Sequence, residues 1–216
     1  MNKAVIFDLD GTLIDSVHDI KDSLNFTLKK FGYEELPLSE VMQYIGNGAR
    51  NLIMRSVGAA IWDDELTEIL DCYNRVYTDS GSPKTRLFDG VDEMLISLKA
   101  MGYKLAILTN KPQMTVYGLY QKHLAKFGFD KVMGQSGTSK CKPDKEAPLA
   151  ILRQLGAEPK NSYMIGDGEP DVQTGINAGM NKISALWGYR TREQLEAVGA
   201  TVFALGPSDV KNLGAL

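Results

Sequence analysis

The stretch Lys3-Ala4-Val5-Ile6-Phe7-Asp8-Leu9-Asp10-Gly11-Thr12 decides the fold. Val5, Ile6 and Phe7 are apolar at consecutive positions and do not alternate with polar ones. A strand here therefore buries both faces, as in a parallel sheet. Two acids follow directly, and Gly11 lets the chain bend right after them. The arrangement recurs twice. Leu105-Ala106-Ile107-Leu108 runs into Thr109-Asn110-Lys111, and Tyr163-Met164-Ile165 runs into Gly166-Asp167-Gly168-Glu169-Pro170-Asp171. Weaker strand signals lie at 131–133, 183–186 and 201–203. Ligands of open α/β sheets bind outside the carboxyl ends of the strands. Three strands that deliver polar groups to one rim therefore mark a candidate site.

Helical patterns lie between the strands. One runs from about Gly90, with Asp89 as N-cap, Val91, Met94, Leu95, Leu98 and Met101 at helical spacing, and Gly102 as the stop. Another follows Lys142, with Pro143 at or near its first turn and Gly156 at its end. This alternation predicts a doubly wound parallel-sheet (Rossmann-like) α/β core. Between Ser16 and Tyr77 no strand signal appears. Ser16-Val17-His18-Asp19 reads as a capping box, and Ser80-Gly81-Ser82-Pro83 has linker composition. We therefore expect a helical insertion over 15–86, with 1–14 plus 87–216 as the core. The linkers near 14–16 and 80–86 are expected to act as hinges.

Composition narrows the function. The 216 residues suit one large domain or a domain with a modest insertion, and the net charge of −3 carries no footprint for nucleic acid. No apolar run is long enough to span a bilayer. The apolar N-terminal stretch is shorter than a signal sequence needs, so a cytoplasmic protein is expected. Two cysteines and two histidines, His18 and His123, make neither a disulfide framework nor a zinc site. Any metal should be hard and held by carboxylates.

The residue types on the rim point to phosphoryl chemistry. A phosphate monoester is a dianion and repels a carboxylate nucleophile. A divalent cation removes that repulsion, and Mg2+ prefers a few carboxylates with water and substrate oxygens. Asp8, Asp167 and Asp171 are the candidate ligands; the last two, four apart, share a face if a helix starts there. The Thr109 hydroxyl and the Asn110 backbone N–H suit phosphoryl oxygens, and Lys142 balances the acids. Asp10 is placed to protonate the leaving oxygen and then activate water.

These residues resemble the four ordered motifs of the haloacid dehalogenase superfamily. The matching segments are Phe7-Asp8-Leu9-Asp10-Gly11-Thr12-Leu13, Leu108-Thr109-Asn110, Lys142-Pro143-Asp144 and Gly166-Asp167 with Asp171. The resemblance implies that Asp8 is the nucleophile and a Mg2+ ligand. It implies that Asp10 is the general acid/base and a ligand through its main-chain carbonyl, that Asp167 completes the metal site, and that Asp171 assists it. It also implies a helical cap inserted after the first motif. Gly168 stands where Ser is frequent in these enzymes. The acid at Asp10 separates the chain from the dehalogenases proper and favours phosphoryl transfer.

Within the superfamily the chain looks most like phosphoglycolate phosphatases, on Asp15-Ser16, Ile45-Gly46-Asn47-Gly48-Ala49-Arg50, Thr109-Asn110-Lys111-Pro112 and Trp187-Gly188-Tyr189-Arg190. That implies a small phosphate ester as substrate, with Gly11, Asn47, Arg50 and Lys111 as contacts and Arg50 pairing with a substrate carboxylate. Phosphatases for pyrophosphate or sugar phosphates, and a sugar-phosphate mutase, share these features. A phospho-accepting signalling receiver carries a similar acid set, but it lacks an insertion after the first strand. A monomer or homodimer is expected.

Overall fold

The computed structural model describes residues 2–58, 61–137, 140–211 and 213. The strand predicted first is β1 (Lys3–Phe7), and its side chains alternate between two buried faces as the consecutive apolar run requires. Val5 and Phe7 join one apolar cluster; Ala4 and Ile6 join another on the opposite side. After β1 come a short strand β2 (Ile14–Asp15) and the helices α1 (Val17–Lys30), α2 (Leu38–Tyr44), α3 (Ala49–Val57) and α4 (Asp63–Asp79). The chain returns through β3 (Arg86–Leu87), which pairs antiparallel with β2.

The core continues with α5 (Val91–Ala100), β4 (Tyr103–Pro112), α6 (Gln113–Leu119), β5 (Lys131–Gln135), α7 (Glu146–Leu155), β6 (Tyr163–Gly166), α8 (Glu169–Ala178), β7 (Asn181–Ala185), α9 (Arg192–Glu196), β8 (Phe203–Ala204) and α10 (Pro207–Val210). The strands form a six-stranded sheet in the order β5-β4-β1-β6-β7-β8, parallel throughout. From β1 the chain fills one side with β4 and β5 and then the other with β6 to β8. The topological switch point is therefore β1, and the crevice opens above its carboxyl end. One sheet face packs on α5 through Val91, Met94, Leu95 and Leu98; the other packs on α7 through Ile151 and Leu152.

The inserted helices make a cap with an apolar interior. Ile20, Leu24 and Leu28 of α1 meet Leu66, Ile69, Tyr73 and Tyr77 of α4, with Val41, Leu52 and Ile53 between them. The spacing is helical on both helices, so each presents one stripe inward. Among the described residues no helix is long and apolar enough to cross a membrane.

Four local expectations shift. Ser16 does not cap α1 with its side chain; its hydroxyl donates to Asp10 instead. Asp19 likewise accepts from the Lys84 backbone N–H at 3.0 Å and the Thr85 hydroxyl at 2.7 Å. A partner elsewhere in the fold outcompetes the local cap. The N-cap of α5 is Gly90 rather than Asp89. Pro143 lies before α7 rather than in its first turn. Asp167 precedes the N-cap of α8, so it shares no helix face with Asp171.

Candidate active site

The three predicted rims meet at one place. Asp8 leaves the end of β1, Thr109, Asn110 and Lys111 end β4, and Asp167 follows β6. One oxygen from each of Asp8, Asp167 and Asp171 lies within 4.8 Å of one from each of the others, and all three residues are buried. The loop after β1 is shaped for this approach. Gly11 has φ +85°, and a Cβ there would overlap the Asp167 carboxylate. Gly188 faces the same carboxylate, and a Cβ on it would collide with Asp167 and with the Gly11 carbonyl. The Gly11 N–H is bonded to the Ile14 carbonyl at 2.9 Å, so this glycine shapes the loop with its own backbone.

Hydrogen bonds distinguish the acids. Asp167 accepts from the Thr12 hydroxyl at 2.9 Å and from the Tyr189 backbone N–H at 2.9 Å. Asp171 accepts from Lys142 Nζ at 2.6 Å and from the Gly168 N–H at 3.0 Å. Lys142 Nζ also lies 2.8 Å from Asp8 Oδ1, as an ion pair. Yet that oxygen is buried and accepts no well-directed hydrogen bond from the described residues.

Burial raises the pKa of Asp8 to about 7, with Asp171 adding to the rise and Lys142 opposing it. Burial and the Asp8 charge raise Asp167 to about 7 as well, against the Tyr189 N–H and Thr12 hydroxyl bonds. Asp171 is raised by burial and held back by Lys142. Three acids face one ammonium, so full ionisation leaves two negative charges over. The donor set is oxygen only. Both facts fit a divalent hard cation.

Asp10 stands apart from this cluster. Lys111 Nζ is 3.1 Å from each of its carboxylate oxygens. Asn110 does more than its sequence pattern suggests. Its side chain accepts from the Lys142 N–H at 2.8 Å and donates to the Lys142 and Gly46 carbonyls at 3.2 and 3.0 Å, tying β4 to the Lys142 loop and to the cap. The cleft is lined by Asp8, Asp10, Thr109, Asn110 and Lys111 from the core and by α1, α3 and α4 residues from the cap. The space open to the centres of water molecules is about 50 Å³. One water takes about 10–15 Å³ on that measure, so the cleft suits a small ligand.

Two predicted contacts lie elsewhere. Arg50 is half-exposed and pairs with Asp63 at 2.7 Å, and neither Arg50 nor Asn47 lines the cleft. Arg190, in turn, is a residue whose task the sequence left open. It is buried, binds both Glu169 carboxylate oxygens, and donates to the carbonyls of Met42, Gln43 and Ile45 at 2.6, 3.2 and 2.7 Å. Only its place in Trp187-Gly188-Tyr189-Arg190 marked it. The Cys141 thiol is pushed up by burial more than Lys142 lowers it, which leaves it a passive side chain.

The profile of the haloacid dehalogenase-like hydrolases matches residues 5–185. The chain belongs to this family. Among its relatives is the phosphoglycolate phosphatase of Psychrobacter arcticus, 35% identical over 208 residues, covering 91% of this chain and 89% of the relative. The phosphoglycolate phosphatase of Aquifex aeolicus is 34% identical, covering 87% and 86%. The crystal structure of a predicted phosphoglycolate phosphatase from Haemophilus somnus superposes with a TM-score of 0.90 at 27% identity, covering 99% of this chain and 98% of that one. This haloacid dehalogenase-like hydrolase is accordingly a phosphatase.

Proposed function

We propose that the chain is a cytoplasmic, Mg2+-dependent phosphomonoesterase that works through a phosphorylated Asp8, and that its substrate is a small metabolite, 2-phosphoglycolate before others. The observation that carries this reading is the buried cluster of Asp8, Asp167 and Asp171 beside Lys142, next to a cleft lined by Asp10, Thr109, Asn110 and Lys111. Asp8, Asp167 and Asp171, with the Asp10 carbonyl, would hold the cation. Bound there, it supplies the positive charge that lets a carboxylate meet a phosphate dianion.

The chain's own groups do the rest. Asp8 attacks phosphorus as the bond to the alcohol oxygen breaks. Asp10 gives that oxygen its proton, then takes one from the water that cleaves the Asp8 acyl phosphate. The Thr109 hydroxyl, the Asn110 N–H and Lys142 hold the equatorial oxygens. The substrate reading is supported by the small cleft and by the two relatives above. Asp8→Asn should fold and lose Mg2+-dependent phosphate release from p-nitrophenyl phosphate. Full activity in that variant would sink the mechanism. A panel of small esters compared by kcat/KM, with 2-phosphoglycolate included, tests the substrate.

A further inference from the structure

Beyond the phosphoryl end, the cleft wall is largely apolar. Ile20, Ile45, Ala49, Leu52 and Tyr73 face it, with Asn74 and Thr115 as neutral polar groups. Among the described residues lining it, Lys111 is the single cation. Its side chain is only 8% exposed.

We propose that Lys111 sets the specificity of this site by selecting esters whose alcohol half carries a carboxylate. This deepens the phosphatase reading above and rests on it. An ammonium has three donors. Two of them face the Asp10 oxygens at 3.1 Å. On its remaining side lies the Tyr77 ring, 4.2 Å from Nζ to the ring centre, a weak partner that an anion replaces. A carboxylate pressed against the apolar wall without a counter-charge is strongly disfavoured. A neutral alcohol of the same size meets no such penalty and gains nothing from the lysine. Discrimination is then by sign of charge, and it lies on β4 of the core rather than on the cap. Arg50, the other cation considered for this task, does not line the cleft and is already paired with Asp63.

The test compares 2-phosphoglycolate with 2-hydroxyethyl phosphate, in which a hydroxymethyl group replaces the carboxylate. The wild type should prefer the first. In Lys111→Gln, kcat/KM for both esters falls by whatever the Asp10 contact contributes. The phosphoglycolate value should fall by on the order of 10- to 100-fold more, the worth of a charge-assisted hydrogen bond. Lys111→Arg should keep the preference. An equal fall for both esters, or a wild type that does not discriminate, overturns the assignment. Calorimetric binding of the two esters to Asp8→Asn, with and without Lys111→Gln, decides the same question without turnover. If the wild type hydrolyses no ester at all, the phosphatase reading fails while this binding comparison still judges Lys111. The wild type alone gives a third readout: glycolate should inhibit p-nitrophenyl phosphate turnover where ethylene glycol does not, and equal inhibition overturns the proposal.

Discussion

Burial raises Asp8 and Asp167 to about 7 in the folded, metal-free chain, from the ordinary carboxylate value of 3.8. Between those values the folded state binds more protons than the unfolded one, so stability falls as pH rises through that window and levels off above it. The melting temperature in chelator should therefore drop between pH 5 and pH 8. Added Mg2+ should restore more of it at pH 8 than at pH 5, and a flat profile would show that the acids are not forced together. Gly188→Ala probes the same spot from behind. The added methyl overlaps Asp167, so the Mg2+ concentration for half-maximal activity should rise by about tenfold or more, the lower end of what supporting contacts around a metal ligand contribute. The acids themselves were legible because an acid pair after a buried strand is costly without a partner. Gly188 was marked only by its place in Trp187-Gly188-Tyr189-Arg190; the collision that fixes it as glycine exists only in three dimensions.

At the scale of elements, the segment after β7 ties the site together. Trp187 donates to the Thr12 carbonyl at 2.9 Å, the Tyr189 N–H holds Asp167, the Tyr189 hydroxyl accepts from the Ser16 N–H at 3.0 Å, and Arg190 grips the end of α2. A planar five-donor fork suits three carbonyls and a carboxylate; an ammonium on a flexible stem does not. Arg190→Lys should therefore loosen the cap, costing about 1–3 kcal/mol from unsatisfied groups. Amide exchange in α2 and in the loop after it should speed up, with kcat/KM falling. Unchanged exchange there would remove the latch. The strands were readable from consecutive apolar residues, and α5 from its 3.6-residue period. The capping box at Ser16 misled because capping is a local contest, and Asp10 and Thr85 offered Ser16 and Asp19 better partners.

For the whole molecule, one linker of the expected hinge is tied to the cap. Asp19 binds residues 84 and 85, so any bending is expected beyond them, where β2 and β3 pair. We expect the cleft between core and cap to widen as substrate enters. If opening and product release limit turnover, kcat should fall as sucrose raises solvent viscosity; a kcat indifferent to viscosity would leave chemistry as the slow step. The insertion has one more consequence, in the history of the chain. Lys3 pairs with Tyr103, so β1 leaves the ribosome about 100 residues ahead of its neighbour. At ordinary elongation rates it waits roughly 5–20 s without a partner strand. Newborn chains should therefore carry a bare apolar segment next to their future nucleophile, a natural client for a holding chaperone until β4 arrives.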